Sequence, residues 1–111
     1  MIEKICWHDT VIHKALEIPS ESKLLFEVDY PEDWDSQRWE IRIIKFEDLK
    51  RYEIHEGPFN GSPTILQTDL LTMDEYGFYL LRIETNAGHR LVQCKSISIL
   101  KGRIAGLEIE G

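Results

Sequence analysis

Leu24, Phe26, Val28 and Tyr30 alternate with Leu25, Glu27 and Asp29, and a period of two recurs through most of the 111-residue chain. Successive side chains of an extended strand face opposite ways, so this alternation specifies half-buried antiparallel strands. No stretch longer than about ten residues keeps a clean 3.6-residue apolar repeat, which removes helical folds from consideration. The chain therefore reads as mainly β. About seven or eight short strands at near-regular spacing predict an antiparallel β-sandwich or a curved, barrel-like sheet.

The segments follow from local chemistry. Val11 to Ile18 places Ile12, Leu16 and Ile18 on one face, and Pro19-Ser20-Glu21-Ser22 turns the chain into Leu24 to Tyr30. Trp39 to Phe46 begins with Trp39, Ile41 and Ile43 inward and Glu40 and Arg42 outward, after which Ile44 and Phe46 change phase. A β-bulge near Ile43-Ile44, or burial of both faces, accounts for the change. Residues 47–55 fit either a short helical turn carrying Phe46, Leu49 and Tyr52 or a short strand carrying Tyr52 and Ile54. Two prolines and two glycines make Gly57 to Pro63 a loop. Thr64 to Leu70 and Phe78 to Thr85 are expected strands, with a turn at Met73 to Gly77. Asn86-Ala87-Gly88 then makes a hairpin into one strand, His89 to Leu100, with Gly88 supplying a positive φ. Lys101-Gly102-Arg103 is a turn before a short, charged edge strand around Leu107 and Ile109.

With 42% apolar and 30% charged residues, residues 1–111 form one domain able to bury a single core without a metal or disulfide staple. The net charge of −7 opposes binding to nucleic acid and to anionic lipid. The longest uninterrupted apolar run is Phe78 to Leu81, and Met1-Ile2-Glu3-Lys4 lacks the long apolar segment of a signal peptide, so the expected address is the cytoplasm. Cys6 and Cys94 are then expected as two free, buried thiols.

Chemistry-bearing residues are few. Trp7-His8-Asp9-Thr10-Val11-Ile12-His13 is the densest polar cluster. On an extended strand His8 and His13 face opposite sides, while Asp9 and His13 share a side at a separation of about 13 Å. Neither pair can hold one ion, so these residues are assigned structural roles: Asp9 or Thr10 satisfies backbone groups at a strand entry, and His8 caps a turn. There is no Gly-x-Ser-x-Gly elbow, no local signature of an activated thiol and no phosphate loop, since Gly57 to Gly61 lacks the lysine of a Walker motif. No catalytic residue, metal or cofactor is expected.

Charge, by contrast, is unevenly placed. Residues 1–56 hold 14 acids and 8 bases, and residues 57–111 hold 6 acids and 5 bases. The negative field centres on Glu27-Val28-Asp29-Tyr30-Pro31-Glu32-Asp33-Trp34-Asp35, followed by Arg38, Trp39 and Glu40. Carboxylates interleaved with aromatics suit a basic protein partner: the acids steer the encounter and accept arginine, and an aromatic supplies a desolvated anchor. The candidate partner-binding residues are Asp29, Tyr30, Glu32, Asp33, Trp34, Asp35 and Trp39.

Trp7-His8-Asp9, Phe46-Glu47-Asp48-Leu49 and Glu84-Thr85-Asn86-Ala87-Gly88 together resemble small uncharacterised bacterial proteins, some of them known as immunity proteins of polymorphic-toxin or contact-dependent inhibition systems. The resemblance implies a non-enzymatic interaction domain that blocks a basic toxin, and it carries over no catalytic residue. Two other readings stay open. In one, Trp7, Trp39 and Tyr79 line a small-ligand cavity; in the other, His8, Asp9 and His13 serve a metal-dependent hydrolase. The sequence leaves oligomeric state undetermined.

Overall fold

A computed structural model describes residues 5–33 and 38–104, with the backbone alone for Glu32 and Asp33. It contains eight strands: β1 (Val11–Ile18), β2 (Lys23–Asp33), β3 (Arg38–Glu47), β4 (Arg51–Glu56), β5 (Ile65–Met73), β6 (Tyr79–Thr85), β7 (Gly88–Cys94) and β8 (Ser96–Lys101). They form two antiparallel four-stranded sheets, ordered β1-β2-β3-β8 and β4-β7-β6-β5, which make a β-sandwich. The expected edge strand around Leu107 and Ile109 lies outside the described residues. No helix among the described residues is long and apolar enough to cross a membrane.

Two seams join the sheets. At the first, β3 continues into β4 and β7 into β8, so two neighbouring strands change sheets together. Asp48 takes a φ of 55°, Lys50 N–H donates to the Gln93 carbonyl at 2.7 Å and Lys95 N–H to the Glu47 carbonyl at 3.1 Å. A shared bend of this kind lets two twisted sheets close over one core. At the second seam Val11 bridges Thr64, with Ile65 N–H bonded to the Thr10 carbonyl and Ile12 N–H to that of Pro63.

The core comes from the inward positions. Leu24, Phe26 and Val28 of β2 and Ile44 and Phe46 of β3 meet Leu81, Ile83, Val92 and Cys94 from β6 and β7, all without solvent contact. Phe26 and Phe46 meet edge to face with centroids 5.0 Å apart. Each such aliphatic or aromatic side chain contributes about 1.5–3 kcal/mol on burial.

Several sequence expectations need correction. In β1 the register with β2 shifts between Ile12 and Lys14. Ile12 therefore faces the core opposite Val28, whereas Leu16 and Ile18 lie opposite Leu25 and Lys23 on the outer face. In β3 the pairing with β2 runs unbroken from Glu47 to Trp39, so there is no bulge at Ile43-Ile44. Arg42, Ile44 and Phe46 face inward and Trp39, Ile41 and Ile43 outward, the reverse of the expected start. Arg42 tolerates this position because Nη2 bonds Glu40 Oε1 at 2.6 Å and Nη1 bonds the Ile41 carbonyl. Of the two alternatives for residues 47–55 the short strand is the one formed, as β4, while the expected single strand His89 to Leu100 is interrupted at Lys95, where the chain changes sheets.

Candidate functional site

The outer face of the first sheet carries two of the candidate residues, Asp29 and Trp39. Asp29 lies opposite Ile41 and Pro31 opposite Trp39, so Asp29 and Trp39 share this face one register step apart. Beside them run Ile43, Leu25 and Leu100, a row of apolar side chains on the side of the sheet turned away from the core. Trp39 keeps 38% of its surface exposed.

Glu27 sits within this face and is nonetheless buried. Gly102, at a φ of 120°, turns the chain after β8, and Ile104 N–H then donates to Glu27 Oε1 at 2.7 Å. Ile104 is itself buried, so one carboxylate of the acidic run is committed to holding the chain that crosses the sheet.

The other candidates divide sharply. Tyr30 points inward, packs against the core and accepts the Cys6 N–H through its hydroxyl at 2.8 Å, which gives it a structural role. Asp29 accepts from His13 Nε2 at 2.9 Å. Glu32 and Asp33 end β2, with their side chains outside the described residues, as are Trp34 and Asp35 entirely.

The opening cluster does not converge on one point: His8 Nε2 lies 3.6 Å from Asp9 Oδ1, whereas His13 turns to Asp29. His8 Nδ1 lies 2.8 Å from the Leu66 carbonyl, the Thr10 hydroxyl donates to the Cys6 carbonyl at 2.7 Å, and His13 engages Asp29. His8 thus binds the rim of β5 instead of capping a turn. Among the described residues no group of three or more His, Cys, Asp or Glu side chains is placed to hold a metal ion. The three aromatics of the cavity reading are also dispersed. Trp7 is buried and stacks on Phe46, while Trp39 and Tyr79 lie at opposite ends of the sandwich. Tyr79 pairs with Cys94 beside the first seam, and Trp39 is eight residues along β3 from Glu47 at that seam, about 26 Å away.

Sequence reading missed three arrangements. Ser62 Oγ lies 3.0 Å from His13 Nδ1, which joins a loop residue to the His13–Asp29 pair. Arg90, Glu56, Tyr52 and Thr85 form a polar network inside the sandwich. Burial pulls the Arg90 guanidinium downward, but Glu56 and Tyr52 outweigh it and hold its pKa above the usual value; burial also raises Tyr52. Finally, Leu66, Leu70, Leu71 and Met73 on edge strand β5, with Tyr76 in the next turn, are exposed. Only the last had a visible signal, since Leu66, Leu70, Leu71 and Met73 do not fall on one alternating face of β5.

No protein-family model matches the chain, and no curated protein matches it either.

Proposed function

We propose that the protein is an interaction domain of the immunity type, which acts by occluding a basic protein toxin and not by turning over a substrate. Trp39 is the observation that carries this reading. A half-exposed indole stands beside Asp29 on a partly apolar sheet face, at the end of the sheet where the backbone of β2 carries Glu32 and Asp33. An exposed aromatic sharing a sheet face with a carboxylate, in a stretch of sequence that also holds Glu32, Asp33 and Asp35, suits a cationic, arginine-bearing surface. Tyr30 plays no part in the contact, because its hydroxyl and ring serve the fold, and Glu27 is occupied by Ile104.

The test is affinity capture from a native lysate, followed by stopped-flow association with the captured basic protein. Reversing the charge of Glu32, Asp33 and Asp35 together is expected to slow association by about tenfold or more and to flatten its dependence on salt. Rates that do not move refute the electrostatic role.

A further inference from the structure

Three side chains remote in sequence form one hydrogen-bonded chain on the flank of β1. Asp29 Oδ2 lies 2.9 Å from His13 Nε2, and Ser62 Oγ lies 3.0 Å from His13 Nδ1. A carboxylate only accepts, so Asp29 takes the Nε2 hydrogen bond and selects the tautomer in which Nδ1 is bare. Nδ1 is then the acceptor and the Ser62 hydroxyl the donor. This is the order nucleophile, base, orienting carboxylate, with the two ring nitrogens exchanged relative to the familiar serine-hydrolase arrangement.

The backbone holds each member in place. His13 is the residue at which the β1 register shifts, and Asp29 is paired opposite Val11. Ser62 precedes Pro63, whose carbonyl accepts the Ile12 N–H at 2.9 Å. His13 and Asp29 keep 33% and 38% of their side-chain surface exposed, so a small reagent reaches the chain from solvent.

We propose that Ser62 is an acyl-accepting modification site for small, neutral, activated esters. Ser62 Oγ attacks the ester carbonyl carbon as its proton passes to His13 Nδ1. The bond from that carbon to the leaving phenolate breaks, the phenolate departs, and the imidazolium returns its proton to water. An ester on Ser62 remains. Neutral donors are favoured over anionic ones such as acyl phosphates, because the first half of the chain carries 14 acids against 8 bases and Asp29 stands within the site itself. Acyl uptake is a single event and not turnover, so the inference goes beyond the binding reading and does not depend on it.

The experiment treats the full chain with p-nitrophenyl acetate, follows release of p-nitrophenolate, and maps the acetyl group by peptide mass spectrometry. One acetyl group on Ser62 is expected, formed about 100-fold or more faster than background acetylation of the Ser62→Ala chain. His13→Gln is expected to slow it comparably, and Asp29→Glu to retain more of the rate than Asp29→Asn, a difference that a purely structural contact would not produce. Unmodified protein in urea supplies a control independent of any variant, and there the fast reaction should vanish. Acetylation confined to lysines, or a Ser62 rate unchanged by urea or by His13→Gln, overturns the proposal.

Discussion

Arg90 grips Glu56 with two parallel hydrogen bonds inside the sandwich, Nε to Oε2 at 2.7 Å and Nη2 to Oε1 at 3.0 Å. The guanidinium also lies over the Phe26 ring, 5.7 Å from its centroid, and donates to the Tyr52 hydroxyl. Both charged side chains are almost withdrawn from water, so removing one strands the other. Glu56→Ala is expected to cost about 3–5 kcal/mol in urea denaturation. Replacing both together, as Arg90→Met with Glu56→Leu, should recover most of that loss, because the pair repays its own desolvation and little more. A double variant as unstable as the single one would contradict this account.

Gly88 supplies a second, sharper test. It begins β7 at a φ of 148°, and a Cβ built there would lie 2.3 Å from the His55 carbonyl oxygen and 2.8 Å from Glu56 Cα. Both obstacles are backbone, and neither can swing aside. Gly88→Ala is expected to destabilise the fold by about 3 kcal/mol, read from the urea midpoint. At Gly102 a Cβ would meet no atom within 4 Å, so the same substitution encounters only backbone strain and should cost less.

These two positions mark what the sequence could and could not disclose. Gly88 was legible because a hairpin loop has its own turn chemistry, and the inward face of β2 was legible because Leu24, Phe26, Val28 and Tyr30 alternate without interruption. β1 and β3 misled for opposite reasons. A one-residue shift at His13 exchanges the faces of Leu16 and Ile18, and nothing in the residue types announces it. In β3 both faces carry isoleucine, so the choice between them rests on Arg42, whose burial depends on Glu40. The Ser62–His13–Asp29 chain was illegible because it spans three separate segments that only the seam between β1 and the loop before β5 brings together.

Burial pushes the Cys94 thiol up to about 12, with a nearby Asp48 adding to the rise and a backbone hydrogen bond from Ser96 opposing it. Near pH 8 only about one thiol in ten thousand is then the reactive thiolate. Cys6 is half-buried and not fully enclosed, contrary to the expectation of two buried thiols. Iodoacetamide should therefore modify Cys6 first, and Cys94 only as the domain opens, so that its labelling rate tracks unfolding in a urea series. Labelling of Cys94 as fast as Cys6 in native buffer would show that the core is not closed over it.

On the outer face of β4 the Arg51 hydrogen bond, at 2.6 Å, and the His55 bond, at 2.9 Å, lower the Glu53 carboxyl to about 2. A depressed folded-state value means that this carboxylate contributes stability above its ordinary value of 4.5, and that the contribution disappears as the pH falls towards 2. Glu53 lies at the surface, so salt screens the effect and its size stays small. Glu53→Gln should lower the melting temperature slightly at roughly pH 6, with the gap closing as the pH approaches 2 and shrinking in high salt. A gap that is constant across that range would assign the loss to packing instead of charge.

Two exposed apolar surfaces compete for the proposed partner, and substitution separates them. Trp39 stands on the outer face of the first sheet near Asp29, whereas Leu71 lies on edge strand β5 of the second, 48% exposed. If the indole is the anchor, Trp39→Ala should weaken binding by about 2 kcal/mol or more, while costing fold stability only about 1 kcal/mol because the ring is half-exposed already. Leu71→Asp should leave binding within about twofold of the unmodified chain, since an exposed apolar residue outside an interface contributes little. Titration calorimetry with the captured basic protein reads both. The reverse pattern, with Leu71→Asp abolishing binding and Trp39→Ala sparing it, would move the contact to β5 and leave the acidic run as a solvated rim.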